Sequence, residues 1–241
     1  MKITILLSLA TLLAAQQYPP KMEGARAEVY KKAGDATLNL YIFEPSSEAD
    51  KRPAIVFFFG GAWRNGTPQE FEQQCRYLAS RGRVAITADY RVSTRHGTKA
   101  NNSVRDATSA IRWVRRNAAP LRIDPLRIAA GGGSAGGHLA AAAGAIPGLD
   151  ESSEDLRMSS RPNALVLFNP ALVLAPVAGI GAGLGISSPE LSGFDLAAIS
   201  PFHHVKKGAP PTIIFHGKAD TTVPFFTAEL FAKKMTSRKN L

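Results

Sequence analysis

The sequence predicts an α/β fold, a mostly parallel sheet with helices on both faces, and three observations carry that expectation. Apolar runs of strand length alternate along the chain with longer segments of helical spacing. Some of those runs are apolar at nearly every position, which fits strands covered on both sides. The 241 residues are 45% hydrophobic and 20% charged, which suits one packed domain with a single sizeable core.

The elements follow in order. Met1-Lys2, an apolar run over 3–15, Gln16-Gln17 and Pro19-Pro20 have the layout of a secretory signal peptide. The run is short for a membrane span. Residues 1–17 are therefore expected to be a leader, 18–241 the folded domain, and the chain secreted or periplasmic without stable membrane insertion. Residues 38–43 (LNLYIF) alternate as an early strand, and 53–59 (PAIVFFF) form a buried strand ending in a Gly60-Gly61-Ala62-Trp63 loop. Residues 68–81 read as a helix ended by Gly82, and 83–90 (RVAITADY) as the next strand. Val104, Ala107, Ile111 and Val114 give helical spacing over 103–117, with Ser103 as N-cap. A strand at 126–130, an alanine-rich helix at 135–145, strands at 164–168 and 212–215 and a helix at 224–235 complete the alternation. Residues 171–198, rich in Gly, Ala and Ser without clear period, break it and read as a cap or a surface loop.

Charge and cysteine content narrow the function classes. The formal net charge is +10, but the lysines and arginines are dispersed, with no basic stripe interleaved with aromatics. Nucleic acid is thus not expected as a partner. Cys75 is the only cysteine, so an internal disulfide and a cysteine metal cluster are excluded, and its setting reads as a buried helix position.

The strongest chemical signal is L-R-I-A-A-G-G-G-S-A-G-G-H-L-A, beginning at Leu126. Gly132, Gly133, Ser134, Ala135 and Gly136 satisfy G-x-S-x-G between a strand and a helix. A serine on so sharp a turn has strained backbone angles, and bulky flanking side chains would collide. The turn drives the hydroxyl into the cleft and sets the Ala135 N–H beside it. A helix N-terminus then lies where an oxyanion would develop. Gly131, Gly133 and Gly136 also fit the dinucleotide pattern G-x-G-x-x-G. That pattern requires the first strand–helix turn and an acid ending the next strand, whereas here the next strand ends Phe168-Asn169-Pro170.

These residues resemble esterases and lipases of the α/β-hydrolase superfamily, in particular the bacterial carboxylesterase and acetyl-xylan-esterase-like branch with G-[DG]-S-A-G-G-H-L-A elbows. The resemblance runs from about Tyr30 onward. It implies that Ser134 is the nucleophile of a serine carboxylic-ester hydrolase, that the substrate is a small-molecule or carbohydrate ester with a short acyl group, and that no metal or organic cofactor is required. The loop after residue 59, which in the family reads H-G-G-G or H-G-G-[AG]-W, implies that Gly61 and Ala62 join Ala135 in an oxyanion hole. Phe59 stands where the family has its loop-holding histidine. H-G-K-A-D-T-T-V-P, from His216 to Pro224, matches the family's H-G-x-x-D-x-x-V-P and implies that Asp220 is the triad acid. Asp195 is a distant second.

The family order is serine, acid, histidine, yet no histidine follows Asp220. Two readings follow. One is a chain shortened at its C-terminus, lacking its last strand and helix; the other is a non-catalytic homologue that binds a ligand or partner. His138 and His216 are expected to be structural, His203 and His204 to be surface or structural groups, and His96 to occupy a polar loop.

Overall fold

In the computed structural model, residues 18–47, 49–180 and 188–241 are described. The leader expected at residues 1–17 lies outside them. Seven strands form one sheet in the order β1-β2-β4-β3-β5-β6-β7. They are β1 (Arg26–Ala33), β2 (Ala36–Phe43), β3 (Arg52–Phe58), β4 (Val84–Ala88), β5 (Ile123–Gly133), β6 (Ala164–Phe168) and β7 (Thr212–Phe215). The first two make an antiparallel hairpin and β2 runs antiparallel to β4; every pairing beyond is parallel. The helices are α1 (Glu72–Ser80), α2 (Ser93–His96), α3 (Ala100–Arg116), α4 (Ala135–Ala145), α5 (Pro201–His204) and α6 (Phe225–Ser237).

Why β3 is apolar throughout is visible in its packing. Ala54, Val56 and Phe58 enter the larger core cluster with residues of α3 and α4, while Ile55 and Phe57 enter a second one with Phe71 and Cys75 on the α1 side. Burial pushes the Cys75 thiol well above its ordinary pKa, so it is an inert core group. Between β1 and β2 the turn is Gly34-Asp35, with Gly34 at φ 58° where a left-handed residue is needed.

Several elements depart from expectation. Strand β1 carries no clean alternation, since its edge position leaves most of its side chains at least partly exposed. The helix expected over 68–81 is a 3-10 turn (Pro68–Phe71) running into α1. Helix α3 starts three residues early, and Ser103, expected as its N-cap, lies inside it and donates to the Arg91 carbonyl at 2.7 Å. Strand β5 is twice the expected length, pairing with β3 on one side and β6 on the other.

On the α1 side the sheet is partly bare. Ile55, Phe57, Ala129, Val166, Phe168 and Phe215 line an open groove of about 910 Å³. Strand β7 is the other edge strand, and its first N–H, on Thr212, donates to the Leu241 carbonyl at 2.9 Å.

Candidate active site

Ser134 lies between β5 and α4 at φ 49° and ψ −114°, a conformation that L-residues avoid. The glycines on either side explain how the chain tolerates it. A methyl on Gly136 would stand 1.9 Å from the Phe58 carbonyl oxygen, and one on Gly132 2.5 Å from the same oxygen. The elbow is thus wedged against the end of β3, and its backbone is tied by the Ser134 N–H to the Phe168 carbonyl at 3.0 Å.

That contact brings the β3 loop to the serine. A methyl on Gly60 would lie 3.5 Å from Ser134 Cβ, so the loop carrying Gly61 and Ala62 passes directly over the elbow. Gly61 has φ 114° and a methyl there would strike Asn65 O at 2.3 Å; Ala62 and Trp63 follow with φ 53° and 57°. Among the described residues, the N–H groups of Gly61, Ala62 and Ala135 have no acceptor. These donors belong to the two segments that the Gly60–Ser134 approach brings together, and unpaired N–H groups of this kind suit a developing oxyanion.

What holds this loop in place of the family's histidine is now visible. Phe59 stacks on Tyr90 with centroids 4.0 Å apart, and the Tyr90 hydroxyl donates to the Phe59 carbonyl at 2.7 Å. Glu70 Oε2 accepts the Gly60 N–H at 2.8 Å. Burial raises the Glu70 pKa and the Gly60 N–H opposes the rise. Sequence reasoning missed both residues; the one signal was Phe59 itself, which left the loop needing another anchor. Trp63 is buried and donates through Nε1 to His138 Nδ1 at 3.2 Å, while His138 Nε2 donates to the Ile199 carbonyl at 2.7 Å. Burial pushes His138 down to about 4, so it is neutral with both ring nitrogens engaged.

Asp220 lies in the turn after β7, at the same end of the sheet as Ser134 and two strands away. Its Oδ1 accepts the N–H groups of Val223 at 2.9 Å and Thr222 at 2.8 Å, and these, Val223 foremost, hold its carboxyl below the usual range. Oδ2 lies 3.5 Å from His216 Nε2, which donates to the Val223 carbonyl at 2.8 Å. The other histidines are engaged elsewhere. His96 Nδ1 accepts the Val92 N–H, His203 bonds Ser200 and the Pro176 carbonyl, and His204 bonds the Ala197 carbonyl. Asp195 accepts the Ala197 N–H in an exposed turn. Among the described residues, the Ser134 hydroxyl has no hydrogen-bond partner.

The segment expected as a cap or a surface loop makes contacts next to the Gly61–Trp63 loop. Ser188 Oγ donates to the Ala62 carbonyl at 3.4 Å, Glu190 accepts the Ser93 hydroxyl at 2.6 Å and Lys99 Nζ donates to the Ser192 carbonyl at 2.8 Å. Residues 181–187 lie outside the described part of this segment. Among the described residues there is no cluster of metal-ligating side chains, and no helix is long and apolar enough to cross a membrane.

A mostly parallel sheet with an antiparallel entry, and a strained serine elbow between an interior strand and a helix, define an α/β-hydrolase fold. Residues 40–168 and 186–235 match the BD-FAE family, and the chain belongs to it. Among solved structures it is similar to esterase 2 of Thermogutta terrifontis phosphoramylated by tabun. There identity is 50% and the TM-score 0.85, over 93% of this chain and 83% of that one. Among curated proteins it is similar to the carboxylesterase NlhH of Mycobacterium tuberculosis, 34% identical over 101 residues, covering 42% of this chain and 31% of that protein. The esterase LipC of the same species is 28% identical over 203 residues, 76% of this chain and 48% of LipC. The chain thus spans less than half the length of these two curated relatives.

Proposed function

We propose that the protein is a serine carboxylic-ester hydrolase acting by acyl transfer. Ser134 attacks the ester carbonyl, and the N–H groups of Gly61, Ala62 and Ala135 stabilise the oxyanion. Asp220 orients the imidazole that takes the serine proton and returns it to the leaving alcohol. The observation that carries this reading is the elbow itself: a non-glycine residue at φ 49°, beside three unpaired N–H groups. The esterase relatives support it. Among the described residues no histidine is hydrogen-bonded to Ser134; His216, with Nε2 3.5 Å from Asp220 Oδ2 and a buried Nδ1 without a partner, is the imidazole beside the proposed acid. Structures of the Thermogutta esterase with propionate and butyrate support short acyl groups. The contacts of Ser188 and Glu190 support a cap over residues 171–198, and the layout of residues 1–17 supports export.

Hydrolysis of p-nitrophenyl propionate by residues 18–241, with and without added imidazole, tests the reading beside Ser134→Ala and Asp220→Asn. A slow rate that imidazole raises, and that Ser134→Ala abolishes, is expected. Equal rates for wild type and Ser134→Ala in every condition overturn the esterase reading. Fast turnover without imidazole would show that a histidine of this chain serves as the base.

A second reading, a non-catalytic binding homologue, is favoured by one observation: among the described residues no histidine is hydrogen-bonded to Ser134.

A further inference from the structure

Far from the elbow, at the C-terminal end of α4, the surface holds two adjoining cavities. One, of about 530 Å³, is lined by Arg112, Arg157, Arg161, Lys206 and Lys207 among others. Its neighbour, of about 420 Å³, is lined by Arg115, Asn163 and Pro211 among others. They share Ser159, Arg161 and Ala209, so together they make one elongated depression. Helix α4 has 11 residues, which sets this groove roughly 16 Å from Ser134 along the helix axis.

The charges along the groove are unequally satisfied. Arg112 is consumed by Asp150, Glu154 and the Met158 carbonyl, and Arg157 pairs with Asp155 at 2.8 Å. The others have no acid. Arg161 donates to the carbonyls of Gly144, at 3.1 Å, and Gly208. Arg115 donates to the carbonyls of Pro125, Ser159 and Arg161 and to Asn163 Oδ1. Lys206 and Lys207 are exposed on a turn that Asn240 fixes, accepting from Gly208 and Ala209 and donating to the Lys206 carbonyl. Among the described residues no carboxylate pairs with Arg115, Arg161, Lys206 or Lys207. Carbonyls hold the two guanidinium groups in place without neutralising them. Arg115 is held below its ordinary pKa by burial and then by Arg112, a strain that a bound anion would relieve.

We propose that this groove binds an extended anionic polysaccharide. Four cations of one sign along a groove suit a chain with regularly spaced charges better than a single small anion. No Phe, Tyr or Trp lines either cavity, so the stacking platform that single-stranded nucleic acid uses is missing. Binding here is independent of ester hydrolysis; only the further assignment, that the bound polymer also carries the ester cleaved at Ser134, rests on the proposed function.

The test is calorimetric binding of polygalacturonate, dextran sulfate and neutral dextran to the Ser134→Ala protein, so that the outcome does not depend on catalysis. Binding of the two anionic polymers and not of neutral dextran is expected, and their relative affinity distinguishes a carboxylate from a sulfate preference. Lys206→Glu/Lys207→Glu is expected to weaken binding about tenfold or more and to reduce its salt dependence. Arg64→Glu/Lys218→Glu, an equal charge change on the exposed loops after β3 and β7, at the opposite end of the sheet and lining neither cavity, is expected to weaken it less than about twofold. Lys206→Gln/Lys207→Gln, with an unchanged thermal melt, should give an intermediate loss and guards against misfolding of the charge reversal. Equal losses for both Glu double variants, absence of binding, or equally tight binding of polyglutamate or DNA overturn the proposal.

Discussion

At Gly136 the space for a side chain is negative. A methyl there would sit 1.9 Å from the Phe58 carbonyl oxygen, and both atoms belong to backbone that cannot rotate away. Gly136→Ala is therefore expected to cost at least about 3 kcal/mol, or to prevent folding; urea unfolding checks it. Such constraints made the elbow legible in the sequence, because a local steric demand leaves a local motif. The loop anchors were not legible, since Tyr90 and Glu70 act across the fold and leave no spacing signature. His138 gives a second prediction. Its pKa is about 4 when folded and near 6.5 when unfolded, so the unfolded state binds the proton first. The histidine costs nothing above pH 6.5, and its neutral burial becomes a loss as pH falls from 6.5 toward 4. Buried Asp89, raised to about 6, works in the opposite direction. The readable quantity is thus the difference between wild type and His138→Gln, which keeps a donor and an acceptor but does not titrate. Relative to that variant, wild type should lose roughly 3 kcal/mol between pH 6.5 and pH 4, measured by denaturant melts across the range.

Helix α3 shows what decides an element once the chain is packed. Its apolar period was legible, but its start was not, because the helix is anchored from its middle. Asp106 is fully buried and accepts a two-pronged bond from Arg91, at 2.8 and 2.7 Å, while Lys31 Nζ lies 2.8 Å away. One carboxylate so ties α3 to the segment after β4 and to strand β1. With a partner on each of two other elements, the helix is fixed in register and Ser103 is free to serve inside it. Strand β1, missed in the sequence because edge strands need no alternation, is held from this side by Lys31. Asp106→Ala would strand Arg91 in a nearly dry site, while Lys31 keeps Glu151 at 3.1 Å, and is expected to destabilise the protein by about 3–5 kcal/mol. Asp106→Asn should recover only part, since it restores hydrogen bonds without charge. Thermal melts of the two variants distinguish these outcomes, and equal stability of all three proteins would mean that α3 is held by its apolar face alone.

Across the whole molecule the two faces of the sheet are treated differently, and that difference governs solution behaviour. The parallel order was legible from runs apolar at every position, a signal that presumes cover on both sides. On the face of α3 and α4 that cover is present. On the other, α1 reaches only part of the sheet, and Ile213 and Phe215 of β7 are 51% and 50% exposed beside the apolar groove of about 910 Å³. The period of a strand reports that a face is apolar; it does not report what lies on it. An apolar face next to an unpaired edge strand is a template for association. The net charge of +10 opposes it, but only over a distance that salt shortens to about 8 Å at physiological ionic strength. Residues 18–241 are therefore expected to self-associate, and more strongly as salt rises, because screening removes the repulsion and leaves the apolar contact unchanged. Ile213→Lys/Phe215→Thr should suppress association at high salt without lowering the melting temperature, since both side chains are half in water. Light scattering coupled to gel filtration from low to high salt reads this directly. A chain that stays monomeric throughout would mean that the exposed strand is too short, at four residues, to nucleate pairing.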